Sequence, residues 1–101
     1  MYVRLVRFRY GPAGAAKAAE LADDLVPAIE QQPGCRGAIC FGDASDGEYG
    51  LLVLWDSEKS ANDARAVIGP RMSKHFEGNL QGDTDIRLFE VLRASSATVP
   101  S

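Results

Sequence analysis

The sequence lacks any apolar run near the ~18 residues of a membrane-spanning helix. It has two cysteines, one tryptophan (Trp55) and one histidine (His75). Basic residues are outnumbered, eleven to fourteen, which leaves a net charge of -3. A chain of that balance does not bind nucleic acid by bulk charge, because phosphate neutralisation needs a basic surface. The opening residues Met1 to Arg7 carry Arg4 and Arg7 where a signal peptide needs unbroken apolar sequence, so a cytoplasmic protein is expected. Gly11-Pro12-Ala13-Gly14-Ala15-Ala16-Lys17 has the glycines of a phosphate loop but not the Gly-Lys-Ser/Thr ending, which argues against a nucleotide site. Cys35 and Cys40 do not have zinc-knuckle spacing. On an extended strand they would face opposite ways, ~16 Å apart and beyond disulfide reach. Two free thiols in a reducing compartment, buried as small hydrophobes, are therefore expected, and no metal cluster is visible.

What is present is an ordinary globular composition. The 101 residues are 46% apolar and 25% charged, enough for one small domain. Residues 2–10 are aromatic and β-branched and predict a strand. One face of it carries Tyr2, Arg4, Val6, Phe8 and Tyr10, and the other Val3, Leu5, Arg7 and Arg9. Ala18, Leu21, Ala22, Leu25 and Ile29 make the apolar stripe of a helix over residues 15–32, with a kink or restart expected at Pro27. A weaker strand over 35–41 leads through a Gly/Asp-rich turn to Tyr49–Trp55. That second run is continuously apolar, so the strand should be central. Asp56 or Ser57 caps a second helix, which Gly69-Pro70 should break before a short helical piece over 71–79. Residues 86–93 predict the last strand, and residues 94–101 a flexible tail.

The order β-α-β-β-α-β over residues 1–93 predicts a ferredoxin-like α+β domain. Two right-handed crossovers give a four-stranded antiparallel sheet, order 4-1-3-2, with both helices on one face. The other face keeps apolar residues, and a chain this small covers such a face by pairing with a second copy. A homodimer through the sheet is expected.

Two stretches resemble a known family. Gln32-Pro33-Gly34-Cys35-Arg36-Gly37-Ala38, and then Leu54-Trp55-Asp56-Ser57-Glu58-Lys59-Ser60-Ala61, are similar to the turn after helix one and to the strand-to-helix junction of the antibiotic biosynthesis monooxygenase domains. Met72-Ser73-Lys74-His75-Phe76 resembles the histidine-containing segment that often follows. The likeness spans roughly residues 2–93 and implies a dimeric α/β barrel. It also implies a cofactor-independent monooxygenase acting with O2 on a small quinol- or anthrone-like aromatic, bound between helices and sheet. Members with other activities leave two alternatives open: a non-catalytic ligand-binding or stress-responsive module, and an isomerase of the muconolactone type. Strand one lacks the asparagine of the haem-degrading branch, since the chain's two asparagines are Asn62 and Asn79.

His75 is the candidate base, as the one side chain whose ordinary pKa lies near neutrality. It shares a helical face with Met72 and Phe76. Tyr10, Tyr49, Trp55, Met72, Phe76 and Arg7 are the candidate substrate contacts. Eight of the eleven basic residues are arginine, and five of those (Arg4, Arg7, Arg9, Arg87, Arg93) fall on strands one and four. Glu90 could pair with one or two of them. A cross-strand ion-pair lattice and an anion site are both open readings.

Overall fold

A computed structural model describes residues 1–95 of the chain. The elements are β1 (Tyr2–Arg9), α1 (Ala15–Glu30), β2 (Cys35–Asp43), β3 (Glu48–Trp55), α2 (Glu58–Phe76) and β4 (Asp85–Glu90). The strands form one antiparallel sheet in the order β2-β3-β1-β4, the predicted order read from the other edge. The predicted strand over 86–93 ends earlier, at Glu90, and of the predicted tail over 94–101 residues 96–101 lie outside the described residues.

The fold follows from residue parity on the strands. Val6, Phe8, Leu51, Val53 and Trp55 point to the helices and are buried. On β1 and β3 their neighbours Val3, Leu5, Leu52 and Leu54 point the other way and stay partly exposed. From α1, Leu21, Leu25 and Ile29 close the core, each at most 1% exposed.

Three expectations are corrected. Gly69-Pro70 does not break α2, which runs on to Phe76 with Pro70 inside it. Of the two outcomes expected at Pro27 the restart does not occur, since α1 runs unbroken through it. Each proline lies on the exposed side of its helix, where water can satisfy the carbonyl that loses its partner. Buried side chains on either side, Ile68 and the half-buried Met72 for α2, hold the helix through the gap. The third correction concerns the thiols. A β-bulge between Cys35 and Gly37 shifts the register, so that Cys35 pairs with Trp55 and Cys40 with Leu51. Both cysteines therefore lie on the helix side and pack against the core rather than facing opposite ways. Both are free, and burial pushes both thiols above their ordinary pKa.

The two stretches that carried the family resemblance meet in space. Gly34, at φ 84°, accepts a hydrogen bond on its carbonyl from the Asp56 amide at 2.9 Å. A Cβ at Gly34 would collide with the Ser60 hydroxyl and the Asp56 carboxylate. The glycine lets the turn after α1 lie against the start of α2. There Ser57 caps the helix, its hydroxyl accepting from the Ser60 amide at 3.1 Å.

Candidate functional site

Under α2 the core is hollow. A cavity of about 290 Å³ lies between this helix and the sheet. Its floor is Val6 of β1 with Leu51, Val53 and Trp55 of β3. Its roof is Ala61, Ala64 and Ile68, continued by Met72 and Phe76. The hollow exists because α2 presents two alanines to the sheet where α1 presents Leu21 and Leu25. Thr84 and Ile86 close the side beside β4.

Polar groups in the lining are few. The indole Nε1–H of Trp55 and the hydroxyl of Thr84 find no hydrogen-bond partner among the described residues, but both atoms are buried out of reach of the cavity space. Arg4 and Arg65 supply the charges, and among the described residues no Asp or Glu is in the lining. Arg4 donates to the Asn62 side-chain carbonyl at 3.1 Å. Burial lowers its pKa from the ordinary arginine value, and the like charge of Arg65 lowers it further.

The predicted site residues divide. Trp55, Met72 and Phe76 line the cavity. Tyr10 and Tyr49 do not; they stand behind it in an aromatic cluster around Phe8, with ring centroids 5.0 and 6.1 Å from the Phe8 ring. Phe76, 4.9 Å from Phe8, joins that cluster to the cavity. The Tyr10 hydroxyl donates to the His75 carbonyl at 3.1 Å. Burial raises its pKa. Arg7 is on the opposite face of the sheet, ion-paired with Glu48.

His75 is turned away from the cavity. Its Nε2 lies 2.8 Å from the Asp24 carboxylate on α1, which also pairs with Arg71. The hydrogen bond from His75, then that from Arg71, holds the Asp24 carboxyl below its ordinary pKa. Phe76 follows one position later and faces inward, because successive helical residues differ by ~100° in direction.

The strand arginines are divided between the two faces of the sheet. Arg7 and Arg9 are ion-paired with Glu48 and Asp46 on the outer face, while Arg4 lies on the helix side. Among the described residues Glu90 joins no ion pair, so the carboxylate partners come from β3 and its hairpin instead. Sequence reasoning missed Arg65, Ala61, Ala64 and Thr84. The alanines carried a signal, since a helix stripe of small residues opposite an apolar strand leaves space. Among the described residues no three His, Cys, Asp or Glu side chains converge where a metal ion would sit, and no helix is long and apolar enough to cross a membrane.

No family model matches the sequence, and no curated protein matches it. Solved structures do. An antibiotic biosynthesis monooxygenase superposes with a TM-score of 0.77 at 18% identity, over 92% of this chain and 100% of that one. Rv0793 from Mycobacterium tuberculosis gives 0.74 at 18%, over 94% and 98%. A mutant of SnoaB, a cofactor-independent oxygenase from Streptomyces nogalater, gives 0.74 at 15%, over 92% and 94%. At these identities the likeness is one of architecture: this chain has the α+β ferredoxin-like fold of the antibiotic biosynthesis monooxygenases.

Proposed function

We propose that the protein is a cofactor-independent monooxygenase acting with O2 on a small aromatic of the quinol or anthrone type. The observation that carries this reading is the apolar cavity under α2, floored by Val6, Leu51, Val53 and the Trp55 ring. Its volume of about 290 Å³ lies just below the usual range of small-molecule sites, roughly 300–1,000 Å³, and suits a compact fused-ring aromatic. An aromatic ring takes the apolar floor. The positive field of Arg4 and Arg65 favours the ionised substrate over the neutral one.

The chemistry then needs only the substrate and dioxygen. A ring carbon that is CH2 in the keto form loses a proton, and the carbanion reduces and captures O2 as a hydroperoxide. Loss of water leaves a carbonyl. One oxygen atom ends in the product and the other in water, so CH2 plus O2 balances to C=O plus H2O. With His75 on Asp24, the proton leaves through the substrate's own acidity, raised by the two guanidinium charges.

The test is oxygen uptake with a panel of naphthols, naphthoquinols and anthrones under ¹⁸O2. Protein-dependent uptake, with one labelled atom in the quinone, is expected. No uptake above the heat-inactivated control would favour the second reading, a ligand-binding module. That reading has its own support, since among the described residues no cavity-lining side chain is of a type that titrates near neutrality.

We further infer that two copies pair through the outer face of the sheet. Ile39, Phe41 and Phe89 point outward there at 60%, 44% and 38% exposure, beside Leu5, Leu52 and Leu54. Light scattering at micromolar concentration should give about twice 10.9 kDa. A clean monomer would overturn the pairing.

A further inference from the structure

We propose that the cavity takes an aromatic carboxylate, its ring on the apolar floor and its carboxylate held between Arg4 and Arg65. The proposal rests on the monooxygenase reading only for the aromatic body of the ligand; the anionic group is argued from the charges. Arg4 comes from β1, opposite Val53 on one side and Leu88 on the other, so it stands mid-sheet. Arg65 comes from α2, next to Ala64 of the roof. Both residues line the one cavity, Arg4 from the sheet and Arg65 from the helix, and they are close enough for the charge of Arg65 to act on Arg4.

Neither has a counter-charge among the described residues. Arg7 pairs with Glu48, Arg9 with Asp46 and Arg71 with Asp24, and Arg87 stacks 4.6 Å over the Phe89 ring; Arg36 and Arg93 have no counter-charge among the described residues either, but neither lines the cavity. Arg4 gives one donor to Asn62, and Arg65 has no ion-pair or hydrogen-bond partner among the described residues. Asp63, close by on α2, is taken by Lys59 at 2.6 Å. Two like charges beside a low-dielectric cavity repel each other, and burial already disfavours the charged form of Arg4. An anion between them reverses both effects. A planar carboxylate matches the guanidinium fork, and the apolar floor directly behind requires that the anion be carried on an apolar ring.

The experiment compares 2-naphthoate with its neutral isostere 2-naphthamide, by calorimetry and by the indole N–H resonance in ¹H–¹⁵N spectra. The chain has a single tryptophan and its ring lines the cavity, so one resolved resonance reports an aromatic ring bound against it. Naphthoate should bind at least about tenfold tighter than naphthamide and shift the indole signal. Arg65→Gln should remove most of that preference. Because Arg65 is exposed, the variant should unfold at the wild-type temperature. Arg4→Gln should act in the same direction. Equal affinity for the two probes, binding that leaves the indole signal unmoved, or no binding of either at millimolar concentration would each overturn the proposal. So would an Arg65→Gln variant that keeps the preference. Failure of the monooxygenase reading looks different: naphthoate binds as described while no phenolic substrate consumes O2.

Discussion

The two helices lie on the same sheet and are held there by opposite means. α1 has no side-chain cap, since its N-cap is Gly14, and neither terminus carries charges that complement the helix dipole. It is secured by what it buries: Leu21, Leu25 and Ile29 are almost wholly out of solvent. α2 is built the other way. Ser57 caps it, Glu58 lies in its first turn, and Lys74 and His75 lie in its last. Its buried residues are only Ala61, Ala64 and Ile68. A helix stabilised by its own ends can be docked over the void that its alanines leave. The first half of the fold commits its apolar residues to stability, and the second leaves the room for a ligand.

The contrast can be broken most sharply by truncation. Leu25→Ala under α1 should cost about 2–5 kcal/mol, because the site is closed on every side and cannot collapse. Ile68→Ala under α2 should fall near the lower end of that range, about 2 kcal/mol, since one side of the residue already faces the cavity. Urea unfolding of both variants checks the difference, and equal losses would mean that the hollow is not a property of the α2 side.

Filling the void should separate stability from binding. Ala64→Leu puts a larger side chain into the roof, where space exists. We expect stability to change by less than about 1 kcal/mol. Affinity for naphthols or naphthoate should fall at least about tenfold, as a packed pocket excludes the ring. Calorimetry beside thermal unfolding reads both. Retained affinity would put the ligand elsewhere.

A smaller effect belongs to the tether between the two helices, where Asp24 of α1 holds His75 and Arg71 of α2. The Asp24 carboxyl has a lower pKa in the folded chain than its ordinary value. Its contribution is therefore fully present above the unfolded carboxyl value, about 3.9, and is lost as pH falls through the folded one. Asp24→Asn should lower the unfolding temperature near neutrality, and the gap to wild type should close as the pH drops from about 5 toward 3. A pH-independent gap would mean that the carboxylate charge does not hold the tether.

The smallest effect is expected for His75→Ala on turnover. With the ring directed at Asp24, the substitution should lower the unfolding temperature while oxygen-uptake rates stay close to wild type. A loss of turnover at unchanged stability would restore His75 to the chemistry.

Part of this organisation is legible along the chain. Parity on β1 puts Arg4 on the same face as Val6 and Phe8, and so marks it, rather than Arg7, as the arginine facing the helices. The periodicity of α1 reveals its buried stripe directly, because its buried positions are apolar and regularly spaced. The second helix is less readable. Gly69-Pro70 looks like a break because local propensity disfavours the pair, and only packing on both sides carries the helix past it. His75 falls on the stripe of Met72 and Phe76 by spacing, and which side of the stripe it occupies depends on where Asp24 of the other helix lies.

By itself the sequence determined the element order, the antiparallel topology and the composition of the two sheet faces, because those depend on patterns repeated within each segment. The tertiary structure decided what single residues meet across long separations. It turned Cys35 inward through a one-residue bulge, put His75 on Asp24, and brought Arg4 and Arg65 to one cavity. Such meetings depend on the path of the whole chain, and no local pattern encodes them.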